Sequence, residues 1–319
     1  MLINNKIKKR VILLIKISVT LLFIAIINRT ITAEELEAIP TYFSFAYFVP
    51  LLLLTFVGLW FHVMRWQIIL RYMELNSSLP LAWKSILWGT LLAFVTPGRV
   101  GELFRGVGTV DGDKKDAMFA VVLDKIFILS TVFIFGIIAT IINFFLFNIQ
   151  LPTTMFNISI AIVILSVLIF ILLYRGHLIS EKSKLSIYFN KVVTGAHRVF
   201  APSGIKAVLY SFLAHAILII QTVLLLRMFG CGGGLKTLLA VVQAYAIMPF
   251  FAISIAELGI REGAVSYFIN RASESCSGEL TLTSATLAMS ILIVVVNLMI
   301  PATVGLILMI FSNKKNRGE

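Results

Sequence analysis

Eight apolar segments, separated by short polar stretches, dominate the hydropathy pattern of this chain. They lie at 11–28, 45–64, 83–96, 119–148, 158–174, 207–229, 237–256 and 281–311. A helix needs about 20 apolar residues to cross the ~30 Å hydrocarbon core of a bilayer, and most of these segments are long enough. The pattern predicts an all-α polytopic membrane protein.

Segment 83–96 is too short to span. From Trp83 to Val95 a helix reaches only about 20 Å at ~1.5 Å per residue, and it stops at Thr96-Pro97-Gly98. Three charged residues follow within a few positions: Arg99, Glu102 and Arg105. Irregular, charged backbone is tolerated at membrane depth only where protein buries it or water reaches it. The segment therefore predicts a re-entrant element beside a polar site.

The charges between the segments predict the orientation of the chain. Residues 29–43 carry three glutamates, whereas 175–206 and the end of the chain are rich in Lys and Arg. Because cytoplasmic loops are enriched in Lys and Arg, we expect both termini in the cytoplasm and a location in the cell membrane. If both termini are cytoplasmic, segments 83–96 and 237–256 cannot cross the membrane. Each must return to the membrane face from which it enters.

This orientation divides the chain into two halves that have the same order of segments. Residues 1–150 contain a hairpin at 83–110, and residues 151–319 contain a hairpin at 237–270. We expect about six spanning helices and two opposed re-entrant hairpins, arranged as an inverted-topology repeat. Folds of this kind place the substrate near the bilayer midplane, where broken helices meet.

Composition supports the membrane assignment and removes one partner class. The chain is 59% hydrophobic and only 13% charged, with a net charge of +12. The excess of Lys and Arg is explained by loops beside apolar segments, so we expect no nucleic-acid partner. Cys231 and Cys276 have no metal-binding or redox spacing, and we expect two free thiols rather than a disulfide.

Six charged residues lie at the two predicted hairpins. They are Arg99, Glu102, Arg105, Glu257, Arg261 and Glu262. One charged group at the bilayer centre costs ~2.5–3.5 kcal/mol on the insertion scale, so these groups must be paired, hydrated or outside the membrane. One alternative is two surface loops with Arg–Glu pairs, and the other, which we favour, is an internal polar cavity. Residues that allow tight bends and close approach of the backbone surround the charges: Pro97, Gly98, Gly101, Gly259 and Gly263.

Phosphate is the ligand that suits this set of residues. An arginine offers a planar fork of donors for phosphate, and a helix that begins after a break directs free N–H groups toward an anion. The glutamates can orient the arginines, bind a substrate amine or take up protons. The sequence does not rank these roles.

Other polar residues are expected to have structural roles. For Asp124 and Lys125 we favour an interfacial ion pair over a supporting role below the first hairpin. Three residues are expected to form hydrogen bonds between helices: His215, Gln221 and Gln243. Met248-Pro249-Phe250 is expected to end a helix, and the last segment, which contains Asn297 and Pro301, to tilt or kink.

Motifs of energy-coupled and hydrolytic enzymes are missing from the sequence. It contains no G-x-x-x-x-G-K-[ST], no H-E-x-x-H and no nucleophile elbow. We therefore expect neither direct ATP use nor an enzyme activity, and no metal or other cofactor.

Three motifs together resemble the lysylphosphatidylglycerol synthase transmembrane family, or flippase-like domain. They are T-P-G-R-V-G-E-L-F-R at 96–105, L-D-K at 123–125 and E-L-G-I-R-E-G at 257–263. The resemblance implies movement of a lipid across the bilayer, either an aminoacylated phospholipid or a polyprenyl-phosphate-linked sugar. Family members with synthase activity add a soluble aminoacyl-transferase domain, and we expect this chain to be a stand-alone member without one.

Two other functions remain open on the sequence alone. One is a membrane enzyme, or enzyme subunit, that acts on lipid-phosphate-linked sugars without moving them. The other is a membrane scaffold for a separate soluble synthase or glycosyltransferase, which would dock on the basic loop at 175–206.

Overall fold

The computed structural model describes residues 32–96, 100–106, 114–149, 202–251, 257, 259–272, 274–277 and 279–316. Predicted segments 11–28 and 158–174, together with Pro97, Gly98 and Arg99, lie outside the described residues. Within the described ranges the regular structure is helical, without a β-strand. The all-α prediction is confirmed for this part of the chain.

Nine α-helices form the described structure. They are α1 (Ala33–Ala38), α2 (Phe45–Tyr72), α3 (Leu79–Val95), α4 (Lys114–Phe147), α5 (Pro202–Met228), α6 (Leu235–Ile247), α7 (Ile260–Arg271), α8 (Leu282–Val294) and α9 (Ile300–Asn316). Three 3₁₀ turns lie at Ile39–Tyr42, Val100–Phe104 and Met248–Phe251, and a π turn at Val295–Met299 joins α8 to α9.

Four helical stretches are long and apolar enough to cross a membrane. These are Phe45–Tyr72, Asp116–Phe147, Gly204–Met228 and Leu282–Leu308. Helices α3 and α6 are apolar but shorter, and α6 ends at the 3₁₀ turn that contains Pro249, as predicted. The chain is thus a membrane protein with four candidate spans and two shorter apolar helices in its described part.

Helix α2 extends beyond the predicted segment 45–64 and ends at Tyr72. The extension carries Trp66, Ile69 and Leu70, which are buried in an apolar cluster with residues of α3 and α4. Burial of these side chains stabilises the last turns of α2 and brings Arg65 inside the protein.

Helices α2 and α5 pack against each other in antiparallel directions. The Gln221 side chain donates to the Leu51 carbonyl near the start of α2, and the rings of Phe61 and Tyr210 stack farther along it. These contacts confirm the predicted inter-helix role of Gln221.

Helix α6 runs along part of α4. Lys236, near the start of α6, lies over the ring of Phe147, and Phe250, just beyond its end, stacks on Phe133. Between these points Gln243 accepts a hydrogen bond from Asn143 at 2.8 Å, which confirms its predicted inter-helix role. Helix α6 therefore begins beside the end of α4 and stops near its middle.

Helix α3 runs along α9 toward α8, as α6 runs along α4. The backbone of Leu87 lies close to Gly305 of α9. Nearer the end of α3, Ala93 packs with Val294 and Leu298 at the middle of the last span. The short apolar helix of each half thus packs on a long helix of the other half and ends at about its middle.

A disulfide joins Cys231 and Cys276, so the prediction of two free thiols is wrong. The physical reason is the tertiary packing. Ser277 donates its N–H to the Gly230 carbonyl at 2.8 Å, which holds the turn after α5 beside the segment after α7.

Glu35 lies at this end of the molecule, beside the start of α8. There it accepts hydrogen bonds from Thr281 and Ser284.

Candidate functional site

Asp124, in α4, lies at the centre of a buried cluster of charges. Its Oδ1 accepts a hydrogen bond from Arg65 Nε at 2.6 Å, and its Oδ2 accepts from Arg65 Nη2 at 3.3 Å and from Arg105 Nη2 at 2.5 Å. Asp124 is fully buried, and each arginine is 1% exposed. One carboxylate therefore holds two guanidinium groups inside the protein.

The two arginines are held by further contacts. Arg65 also donates to Nδ1 of His62, one turn earlier on α2, and to Ser211 of α5. The Arg105 guanidinium lies 4.1 Å above the ring of Trp66, within range of a cation–π interaction. These contacts fix the positions of both guanidinium groups.

Glu102 connects the cluster to a more exposed lysine. It lies on the 3₁₀ turn Val100–Phe104, contacts Arg105 Nη1 at 3.4 Å and accepts from Lys125 Nζ at 2.5 Å. The Lys125 side chain is 32% exposed, the largest exposed fraction in this set. Lys125 therefore pairs with Glu102, and the expected interfacial pair between Asp124 and Lys125 is wrong.

Small residues allow the turn after α3 to approach that helix. The Gly101 N–H donates to Thr96 Oγ1 at 2.7 Å, and a Cβ at Gly101 would overlap the Leu92 carbonyl. A Cβ at Gly89 would lie 2.6 Å from Cβ of Arg105. Glycine at these two positions is thus what allows the 3₁₀ turn and Arg105 to pack on α3.

The second cluster lies around the start of α7. Arg261 donates to Glu257 at 2.8 Å and to Ser290 of α8 at 3.2 Å. Glu262 accepts the N–H of Gly259 at 2.6 Å at the start of α7, and Gly259 has a φ of 85°, which glycine adopts without strain. A Cβ at Gly263 would meet nothing within 4 Å.

One cavity of about 130 Å³ lies between the two clusters. Its charged lining is formed by Glu102 and Arg105 from the first half and by Glu257 and Arg261 from the second. Helices α2, α3, α5 and α8 and the π turn after α8 complete the wall with residues that include His62, Thr90, Gln221 and Asn297. Charges that are more than 150 residues apart in sequence therefore face the same enclosed space.

The predicted site residues fall into three groups. The cavity contains Glu102, Arg105, Glu257 and Arg261; Glu262 caps α7 beside it; and Asp124 and Lys125 hold the first cluster from behind. Arg99 lies outside the described residues.

Arg65 is the residue that sequence reasoning missed. The predicted segment ends at residue 64, which leaves Arg65 just outside it. The signal that identifies it is the continuation of the apolar pattern, since Trp66, Ile68, Ile69 and Leu70 follow it directly. A charge followed by a further apolar turn lies within a helix rather than after it.

A comparison with protein families gives a match over residues 13–300 to the lysylphosphatidylglycerol synthase TM region. The chain belongs to this family. The match includes both charged clusters and confirms the resemblance seen in the three motifs. Among curated proteins and among solved structures, the comparisons found no match.

Proposed function

We propose that this protein moves a lipid with a phosphate-containing headgroup across the cell membrane, without using ATP itself. The lipid is an aminoacylated phospholipid or a polyprenyl-phosphate-linked sugar, and its tails stay in the bilayer while the headgroup crosses. The observation that carries the proposal is that Arg105 and Arg261, from opposite halves of the chain, line one cavity. Family membership is consistent with a role in lipid chemistry at a membrane.

The packing of the short helices supports an inverted repeat of residues 1–150 and 151–319. Helix α3 on α9 and α6 on α4 are equivalent contacts when the two halves are exchanged. Both short helices stop near the middle of a span and lead into the charged clusters. This is the arrangement expected for two re-entrant hairpins that enter from opposite faces.

The orientation rests on the two ends of the described structure. The disulfide and the glutamate-rich segment around α1 lie at one end, and disulfides persist in oxidising compartments. Arg71 and Lys84 lie near the end of α2 and the start of α3, toward the opposite end. From the positive-inside bias we infer that this end, and both termini, face the cytoplasm.

Exchange of partners explains how an anion can enter a site that is already neutralised. Each cavity arginine contacts a glutamate, at 3.4 Å for Arg105 and Glu102 and at 2.8 Å for Arg261 and Glu257. At Arg105, a headgroup phosphate can replace the Glu102 carboxylate with no step that leaves an isolated buried charge, which would cost several kcal/mol. Lys125 remains bound to the Glu102 that is released.

The volume of the cavity indicates that the described state is a closed one. Its volume of about 130 Å³ lies well below the about 300–1,000 Å³ of typical ligand pockets. This volume is small for an aminoacyl or sugar headgroup. Transport therefore requires the two halves to separate on one side at a time.

A lipid-translocation assay tests the proposal. Purified protein is reconstituted in liposomes with fluorescent acyl-labelled aminoacyl-phosphatidylglycerol, and the fraction that becomes inaccessible to dithionite is followed over time. We expect Arg105→Ala and Arg261→Ala each to abolish the protein-dependent rate. Arg71→Ala is the matched control, because Arg71 is exposed at the end of α2 and does not line the cavity. Undiminished translocation by both cavity variants would refute the assigned site.

A further inference from the structure

Gln221 fixes the orientation of a second amide, that of Asn297. Gln221 Nε2 lies 3.1 Å from the Leu51 carbonyl and 2.8 Å from Thr55 Oγ1. The carbonyl can only accept, and the Thr55 hydroxyl already donates to that same carbonyl. Both hydrogens of the Gln221 amide are therefore donated, and Gln221 Oε1 must act as an acceptor.

Gln221 Oε1 accepts a hydrogen bond from the side-chain amide of Asn297. The Asn297 Nδ2 to Gln221 Oε1 distance is 3.1 Å, and Gln221 is buried whereas Asn297 is half-buried and lines the cavity. Because Nδ2 faces Gln221, the carbonyl oxygen Oδ1 of Asn297 is the group left to face other partners. Within the described ranges no side chain or backbone group donates to it.

The backbone at Asn297 departs from the α-helix. Asn297 is the central residue of the π turn Val295–Met299, which ends with the Ile300 N–H bonded to the Val295 carbonyl. Pro301 explains the departure, since it has no N–H for the Asn297 carbonyl and its ring would clash with that carbonyl in an α-helix. Single π turns in long helices occur frequently at functional sites.

The cavity thus offers two kinds of recognition. Arg105 and Arg261 donate toward an anion, whereas Asn297 offers a neutral acceptor in the same space. A phosphate alone needs only the arginines. An acceptor beside them suits a hydroxyl or ammonium group attached to the phosphate.

The geometry points to Asn297 as a specificity-determining residue that accepts a hydrogen bond from a hydroxyl or amine of the transported headgroup. This inference rests on the proposed function and adds a residue that the charged motifs do not include. It predicts that the protein prefers phosphodiester lipids whose headgroup carries a donor over lipids of the same charge without one.

Two lipids of equal charge test the preference. Acyl-labelled phosphatidylglycerol carries hydroxyl groups on its headgroup, and acyl-labelled phosphatidylethanol carries none. We expect the wild-type protein to translocate phosphatidylglycerol about five- to tenfold faster, as one hydrogen bond would give. Asn297→Leu is expected to remove this preference by slowing phosphatidylglycerol, while the rate for phosphatidylethanol stays within twofold of wild type.

A further variant separates recognition from structure. Asn143→Leu is the matched control, because Asn143 is a buried inter-helix asparagine outside the cavity lining, and the ratio of the two rates should not change.

The outcomes that overturn the inference are distinct from failure of the proposed function. Equal rates for the two lipids with wild-type protein, or an unchanged ratio in Asn297→Leu, overturn the assignment of Asn297 while leaving lipid transport in place. Absence of protein-dependent translocation for both lipids, and for the aminoacylated phosphatidylglycerol of the first assay, refutes the proposed function and the inference with it.

Discussion

Substitution of Asp124 by Asn tests the buried charge cluster most sharply. Asn has the shape of Asp but lacks its charge, so Arg65 and Arg105 would face each other without the carboxylate that now lies between them. Removal of one partner of a buried ion pair costs about 3–5 kcal/mol. We expect the cost of Asp124→Asn to lie in that range. Asp124 makes three contacts, of 2.6, 3.3 and 2.5 Å, with the two arginines, and all three residues are almost completely buried.

The assay is thermal unfolding of the purified protein in detergent. At the shift usual for larger domains, a loss of about 3–5 kcal/mol lowers the Tm by ~6–20 °C. Asp116→Asn is the matched control, because Asp116 lies on the same helix and is partly exposed, where an ion pair contributes about 0–1 kcal/mol. Equal Tm values for Asp124→Asn and wild type would refute the account of the cluster.

A triple variant separates stability from function. Replacement of the whole cluster, as Arg65→Met, Arg105→Met and Asp124→Leu, leaves no buried charge uncompensated. Hydrophobic replacement of buried ion pairs is often neutral or stabilising. We expect the triple variant to recover most of the lost Tm and to remain inactive in translocation, since Arg105 lines the cavity. Recovery of translocation together with stability would show that the cluster is only structural.

Two further predictions concern the end of the molecule that we place outside. The pKa of Glu35 is lowered, chiefly by the hydrogen bond from the Thr32 N–H and then by the side chain of Thr281. Glu35 therefore stabilises the folded protein at any pH above the pKa that this residue has in the unfolded chain. This stabilisation is lost as the pH falls through the folded pKa of Glu35. Wild-type Tm should therefore fall more steeply than that of Glu35→Gln below about pH 5 in parallel scans, and identical slopes would contradict the role of Glu35. The disulfide closes a loop with a sequence separation of 45, for which the chain-entropy model gives about 4 kcal/mol. We expect Cys231→Ser with Cys276→Ser to lower the Tm, and a membrane-impermeant maleimide to label the reduced wild-type protein only from outside; labelling only from the cytoplasm would invert the proposed topology.

The spans were predictable because each is a long apolar run, and the all-α fold follows from them. The ends of the helices were less predictable. Segment 45–64 was cut at Arg65 because a charge usually ends a span, whereas burial against Asp124 allows α2 to continue to Tyr72. No local signal in the sequence identifies that partner, which is 59 residues away.

The candidate site, too, was predictable only in part. The charges at both predicted hairpins were evident from the sequence, because they interrupt an apolar chain near Pro and Gly. Their pairing was not, since Lys125 contacts Glu102 rather than its neighbour Asp124. The disulfide was missed for a similar reason, because Cys231 and Cys276 meet only through the packing of two separate turns.

The central claim is that a lipid headgroup enters one cavity formed by both halves. The most direct measurement is photo-crosslinking of phosphatidylglycerol that carries a diazirine on its headgroup, with the labelled peptides identified by mass spectrometry. The account predicts label on peptides that contain residues 100–106 and residues 257–261, and loss of both labels when unlabelled phosphatidylglycerol is added in excess. Label confined to exposed apolar positions such as Phe145, Leu146 and Ile307 would contradict it.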